Sequence, residues 1–190
     1  MKTIAHHTCK KEGGIDYVIS NVPFYAEHNV NEEKYQFLGS GYYFWDDNIE
    51  LAKSWGKFHY NNDFHVFEFD FEINSDNCLD LVGNRSHQKY FMELFRIYEE
   101  HTGDTKENWS ICQCIEFLKI LTTKNEKIFP FKMIRAIDLL NHNKYKEQFR
   151  TKFVAHKGNY TVINPKMVIC VITKQDVPLQ SKKIVFTSLK

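Results

Sequence analysis

Three short segments in the first third of the chain carry side chains that could bind and activate a small ligand. They are HHT at residues 6–8, GSGYYF at residues 39–44 and AKSW at residues 52–55. A Gly-x-Gly pair lets the backbone approach a ligand closely. Aromatic residues present flat apolar faces, and His and Thr add hydrogen-bonding groups. Together these segments are typical of a pocket for a flat, charged heteroaromatic ring attached to a ribose.

The order and spacing of the three segments resemble the ADP-ribosyltransferase superfamily, in its diphtheria-toxin and poly(ADP-ribose) polymerase branch. That branch carries a His-x-Thr motif, then a Gly-x-Gly-x-Tyr-Phe strand, a second aromatic residue in the next helix, and an acidic residue on a late strand. Here His6 and Thr8 match the first motif, residues 39–44 match every fixed position of the second, and Trp55 supplies the second aromatic residue.

The resemblance implies a role for each matching residue. His6 would hydrogen-bond the adenosine ribose of NAD, and the backbone of His7 would hold the nicotinamide carboxamide, which Ser54 could also reach. Tyr43 and Trp55 would enclose the nicotinamide ring, whose positive charge favours an aromatic wall. The family normally has Gly where this chain has His7, so the scheme requires the His7 side chain to point away from the pocket. The residues assigned to catalysis are His6 and Tyr43, and those assigned to NAD binding are His6, His7, Thr8, Gly41, Tyr43, Ser54 and Trp55.

The acidic residue is the main departure from the family pattern. The matching late strand is NPKMVICV at residues 164–171, with Met167 or Val168 where the carboxylate is expected. A carboxylate there would stabilise positive charge that develops only in the transition state. Three interpretations stay open: single ADP-ribose units are transferred without this acid, Glu72 or Glu116 replaces it, or the protein binds NAD without turning it over.

Composition excludes some other classes of protein. The chain has 190 residues and 22.6 kDa, with 43% hydrophobic and 26% charged residues, which predicts one globular domain over residues 1–190 rather than a disordered or fibrous chain. A net charge of +1 gives no global attraction to nucleic acid or anionic lipid. The chain shows no signal peptide or membrane span and its five Cys form no CxxC pair, so we expect a cytoplasmic protein with reduced thiols and no membrane partner.

Periodicity predicts strands near both ends of the chain and helices between them. Within residues 64–73, Phe67, Phe69, Phe71 and Ile73 alternate with acidic side chains, which indicates a strand with one buried face. Helices are predicted from Asp46 or Asp47 as N-cap, over 86–101 with Gly103 as C-cap, over about 109–121 and over about 132–140. In the last of these, Arg135 would lie on a helix, exposed on its surface or reaching a phosphate of the cofactor. Short strands are predicted in the segments TKFVAH, YTVINP, MVICVIT and KKIVFT.

These observations lead to one expectation and one rival. The fold expected is α+β, a split β-sheet core like that of the ADP-ribosyltransferases, with helices inserted between N-terminal and C-terminal strands. The function expected is NAD-dependent mono-ADP-ribosyltransfer to a protein or nucleic acid, in a bacterial toxin or defence effector, with an antitoxin or regulatory protein as a candidate partner. No metal is expected, because His6, His7 and Cys9 alternate faces on one strand. The rival is a catalytically silent module that binds NAD or a protein partner.

Overall fold

A computed structural model describes residues 1–103, 110–138 and 149–189 of the chain. Its nine strands and four α-helices, counted over those residues, make a mixed α+β structure. The strands are β1 (Lys2–Lys10), β2 (Tyr42–Asp46), β3 (Phe64–Glu72), β4 (Cys78–Asp80), β5 (Met133–Asp138), β6 (Phe149–Lys152), β7 (Tyr160–Ile163), β8 (Lys166–Val171) and β9 (Lys183–Thr187). The helices are α1 (Ile15–Asn21), α2 (Ile49–His59), α3 (Arg85–Thr102) and α4 (Ile111–Thr122).

Seven of the strands form one sheet, which is antiparallel except for the β4–β5 pair. Its order is β4-β5-β8-β2-β1-β3-β9, while β6 and β7 form a separate hairpin. Strand β1 pairs with β3 along its whole length, from Lys2 to Lys10, but its pairing with β2 covers only Ala5 and His6. The sheet therefore splits between β1 and β2 beyond His6.

Side-chain alternation gives the sheet two buried faces. On one face, Phe67, Phe69 and Phe71 of β3 pack with Phe44 of β2 and with Val18 of α1. The opposite face carries two further clusters, one against α3 and α4 and one against α2. The predicted strand at 64–73 is confirmed as β3, but the predicted exposed face is present only after Phe67, because Phe64–Phe67 are all buried.

The predicted helix over residues 132–140 is wrong where the structure describes it. Residues Met133–Asp138 form strand β5, which lies between β4 and β8. Met133 through Ala136 are all buried. A short segment that is buried on both faces shows neither the helical nor the strand period, so periodicity cannot tell a helix from a strand there. The last two residues of that predicted helix, Leu139 and Leu140, lie outside the described residues.

Arg135 therefore has a different environment from either one predicted for it. On β5 its side chain is buried, and its guanidinium contacts two carboxylates. The Nε to Asp46 Oδ2 distance is 2.6 Å, and the Nη1 to Asp80 Oδ1 distance is 3.3 Å. Arg135 thus connects β2, β4 and β5 inside the sheet and is not free to bind a phosphate.

The other helix predictions hold with small shifts of boundary. Gly103 caps α3 in the left-handed conformation, with φ of 72°, and α4 begins at Ile111, while the predicted start at Trp109 lies outside the described residues. The N-cap of α2 is neither Asp46 nor Asp47 but Asn48, whose Oδ1 accepts the Leu51 N–H at 3.0 Å. Asp46 instead ends β2 facing Arg135. Over the described part of the chain, the helices are too short or too polar to cross a membrane.

Candidate functional site

A cavity of about 850 Å³ opens where the sheet splits. The end of β1 and the strand β2 form its base, the irregular segment 24–37 forms much of its wall, and α2 contributes Trp55. Half of its lining residues are Phe, Tyr or Trp. A cavity of this size, largely aromatic with a few charged groups, is typical of a binding site for a small organic ligand.

The cavity gathers four of the seven residues assigned to the site from the sequence. His7, Thr8, Tyr43 and Trp55 line it, although they come from β1, β2 and α2. Of the described residues assigned to the site, His6, Gly41 and Ser54 do not line it.

The His7 side chain bridges the split instead of pointing away from it. Its Nδ1 lies 2.8 Å from the Tyr43 carbonyl oxygen, and its Nε2 lies 3.2 Å from the Phe24 backbone nitrogen. Because a carbonyl only accepts and an N–H only donates, the ring must be the neutral tautomer with its proton on Nδ1. The requirement that the His7 side chain point out of the pocket is therefore not met: its imidazole is part of the wall and ties β1 to β2 and to the segment 24–37, which counts against the role assigned to the His7 backbone.

We expect His7 to make the fold sensitive to acid. Burial lowers its pKa to about 4, so between the unfolded pKa near 6.5 and that value the unfolded chain binds a proton that the folded chain does not. Stability is therefore lost as the pH falls, by about 2 kcal/mol between pH 7 and pH 5. Buried His6 and His65, whose pKa values are also lowered by burial, act in the same direction.

Urea unfolding at pH 7 and pH 5 tests this prediction. His7→Gln keeps one donor and one acceptor but does not titrate, and it should lose less stability between the two pH values than the unchanged chain does. The exposed His156→Gln is the control and should behave like the unchanged chain. An identical loss in the His7→Gln variant would contradict the assignment.

Tyr43 presents the face of its ring to the cavity, because its hydroxyl already forms two hydrogen bonds with the backbone. The hydroxyl donates to the Gly39 carbonyl at 2.5 Å and accepts the Leu38 N–H at 3.1 Å. Burial raises the pKa of the phenol well above its ordinary value, so Tyr43 is neutral and is not a base. Its ring lies 5.9 Å from that of Phe37, at the cavity wall.

Two tryptophans form the other aromatic wall. Trp55 of α2 lies 5.8 Å from Trp45 of β2, measured between ring centroids, and stacks on His59 at 3.8 Å. The sequence assigned Trp55 to the site but not Trp45. Trp45 lies two residues after Tyr43 on the same strand, so the period of two placed it on the same face, and this signal could have identified it.

His6 lies beside the cavity, on the strand face that also carries Trp45. It is opposite Trp45 on β2 and opposite Glu68 on β3. Its Nε2 lies 3.5 Å from Glu68 Oε2. Its Nδ1 is buried, and among the described residues no partner meets the distance and angle limits of a hydrogen bond with it. Burial lowers the pKa of His6, and Glu68 and the Trp45 backbone oppose that shift only in part.

Gly41 and Thr8 make structural contacts, Gly41 with β8 and Thr8 with α2. A side chain at Gly41 would collide with Cys170 Sγ and the Val171 carbonyl of β8, at 2.5 and 2.7 Å from the added Cβ. The close approach that Gly41 permits is therefore to β8. The Thr8 hydroxyl donates to the Ala52 carbonyl at 2.8 Å and anchors α2 on β1.

The strand that should carry the acid does reach the cavity. Val168 of β8 lines it, whereas Met167 faces the opposite side, with its sulfur 3.3 Å from Arg135 Nη2. Neither candidate replacement lines the cavity. Glu116 accepts the Ser40 N–H at 2.6 Å and pairs with Lys119, and Glu72 lies in a separate depression at the far end of β3.

Two carboxylates that the sequence analysis did not assign line the cavity. Glu12 is exposed in the loop after β1, and Asp138 ends β5. Asp138 was missed because the helix predicted over residues 132–140 did not place it beside β8. Within the described ranges, no group of three or more His, Cys, Asp or Glu side chains is placed to hold a metal ion.

Comparison with models of protein families, with curated proteins and with solved structures finds no match for this chain.

Proposed function

We propose that the protein is an NAD-dependent mono-ADP-ribosyltransferase with a split-sheet fold of the ADP-ribosyltransferase type. It acts in the cytoplasm, as a toxin or defence effector, on a protein or nucleic acid. The observation that carries the proposal is that residues of HHT, GSGYYF and AKSW, which belong to three different elements, line one aromatic cavity at a break in the sheet.

The electrostatics of the cavity suit the nicotinamide end of NAD. The nicotinamide ring is flat and positively charged, and the faces of Tyr43, Trp45 and Trp55 attract such a cation. Lys10, which also lines the cavity, supplies a positive charge for the pyrophosphate. His6, to which the resemblance assigns the adenosine ribose, is buried beside the cavity and does not line it.

The reaction proposed breaks the bond between nicotinamide and the ribose. The bonding electron pair leaves with nicotinamide, C1′ of the ribose becomes cationic, and a nucleophile of the acceptor forms the new bond. The rival function, NAD binding without turnover, is favoured by Val168, an apolar residue on the strand where the family carries its acid.

Trp55→Leu tests the proposal, with NAD affinity measured by calorimetry and nicotinamide release measured in the same mixture. Removing one aromatic wall should weaken NAD binding about tenfold, since a cation on a desolvated ring is worth about 1–2 kcal/mol. Tyr160→Leu, on the exposed β6–β7 hairpin, is the control and should bind NAD as the unchanged protein does.

The outcomes separate the two functions. Binding with nicotinamide release supports the transferase, and binding without release supports the silent module. Equal affinity in the Trp55→Leu and unchanged proteins would mean that NAD binds elsewhere, and an unchanged protein that does not bind NAD would refute both.

A further inference from the structure

We infer that Asp138 supplies the carboxylate that this chain lacks on β8, so that the acid has moved to the neighbouring strand β5. This inference rests on the proposed function and names a catalytic residue for it.

Strand register places Asp138 next to the position of the missing acid. On the adjacent strands, Ala136 pairs with Val168 and Asp138 pairs with Lys166. Residues two apart on a strand share a face, so Asp138 is the diagonal neighbour of Val168. Both residues line the same cavity. A carboxylate at either position can therefore face the same part of a bound ligand.

The strand holds this carboxylate in place. The Lys166 ammonium, which is almost fully buried, lies 3.3 Å from Asp138 Oδ2, while the Asp138 side chain keeps 26% of its surface exposed. The exposed part leaves room for contact with a ligand, and the ion pair limits the orientations of the carboxylate. A group positioned on a strand is more precisely placed than one on a loop.

Glu12, the other cavity carboxylate among the described residues, is less suited to this role. It lies in the exposed loop that contains Gly13, after the end of β1. It has no strand partner, and the structure gives it no contact with β8. The geometry therefore favours Asp138 over Glu12.

The chemistry at Asp138 has two parts. As nicotinamide leaves with the bonding pair, the carboxylate stabilises the positive charge that develops on the ribose. When an acceptor hydroxyl forms its bond to C1′, its proton passes to the Asp138 carboxylate, which acts as general base. No metal, oxidant or reductant is required for this balance.

Nicotinamide release by Asp138→Asn tests the inference. We expect kcat to fall about 100-fold, within the range that a general base contributes, while the Kd for NAD changes less than threefold. The matched control is Asp176→Asn, because Asp176 is also a partly exposed aspartate paired with a lysine, at 3.1 Å from Lys132, but lies away from the cavity. Its kcat should not change.

A second variant tests the assignment if Asp138→Asn does not fold. Asp138→Glu keeps the charge opposite Lys166 and displaces the carboxylate by one methylene, and its kcat should fall at least tenfold with unchanged NAD affinity. If either folded variant releases nicotinamide as fast as Asp176→Asn, the assignment of Asp138 is overturned and the proposed function stands. If the unchanged protein neither binds NAD nor releases nicotinamide, both the proposed function and the assignment of Asp138 are refuted.

Discussion

Replacing Arg135 by methionine is expected to lower the free energy of unfolding by about 3–5 kcal/mol. The substitution leaves Asp46, which is 2% exposed, without its guanidinium partner at 2.6 Å. A buried charge that loses its partner keeps its full desolvation cost. Since each kcal/mol shifts the melting temperature of a domain of this size by about 2–4 °C, Tm should fall by about 10 °C.

Thermal and urea unfolding of Arg135→Met measure this effect. Lys132→Met is the control, because the Lys132 side chain is 60% exposed and its ion pair with Asp176 should contribute under about 1 kcal/mol. Adding Asp46→Asn to Arg135→Met should recover part of the loss by removing the unpaired charge. If Arg135→Met and Lys132→Met cost the same, the buried network does not stabilise the junction of β2, β4 and β5.

Gly41→Val should destabilise the protein by about 3 kcal/mol, through overpacking at a point where the backbone cannot yield. Its Cβ would lie 2.7 Å from the Val171 carbonyl oxygen, which belongs to the central strand β8. Relief requires β2 to move away from β8, and Tyr43 and Trp45 are on β2. We therefore expect loss of NAD binding together with loss of stability.

Urea unfolding and NAD calorimetry of the same Gly41→Val sample test both parts. Gly158→Val is the control, since a Cβ at Gly158 meets nothing within 4 Å. Stability and NAD affinity equal to those of the control would contradict the close approach of β2 to β8.

The sequence predicted the elements that have one buried and one exposed face, because this difference produces a regular pattern of apolar and polar residues. Strand β3 alternates along residues 67–73, and Gly103 ends α3 because a left-handed residue is needed there. Strand β5 could not be predicted in this way, because both of its faces are buried and its arginine is paired inside the sheet. Its identity as a strand depends on β4 and β8, which are distant in sequence.

The residues of the candidate site that belong to short motifs could be predicted from the sequence. Those that only the tertiary structure brings to the cavity could not. His7, Thr8, Tyr43 and Trp55 were assigned from the motifs and do line the cavity. Phe24, Tyr25, Tyr35 and Phe37 come from a polar, irregular segment without period, and only the folding of that segment over the split brings them to the cavity. Asp138 likewise reaches the site through the register of β5 and β8.

The central claim is that the nicotinamide ring of NAD binds in the cavity at the split of the sheet. Nuclear Overhauser effects between the nicotinamide protons of saturating NAD and the protein's aromatic protons measure this directly. We expect cross-peaks to the rings of Tyr43 and Trp55, which disappear for the indole in Trp55→Leu and persist in Tyr160→Leu. Cross-peaks confined to residues outside the cavity, or none at NAD concentrations that saturate binding, would contradict the account.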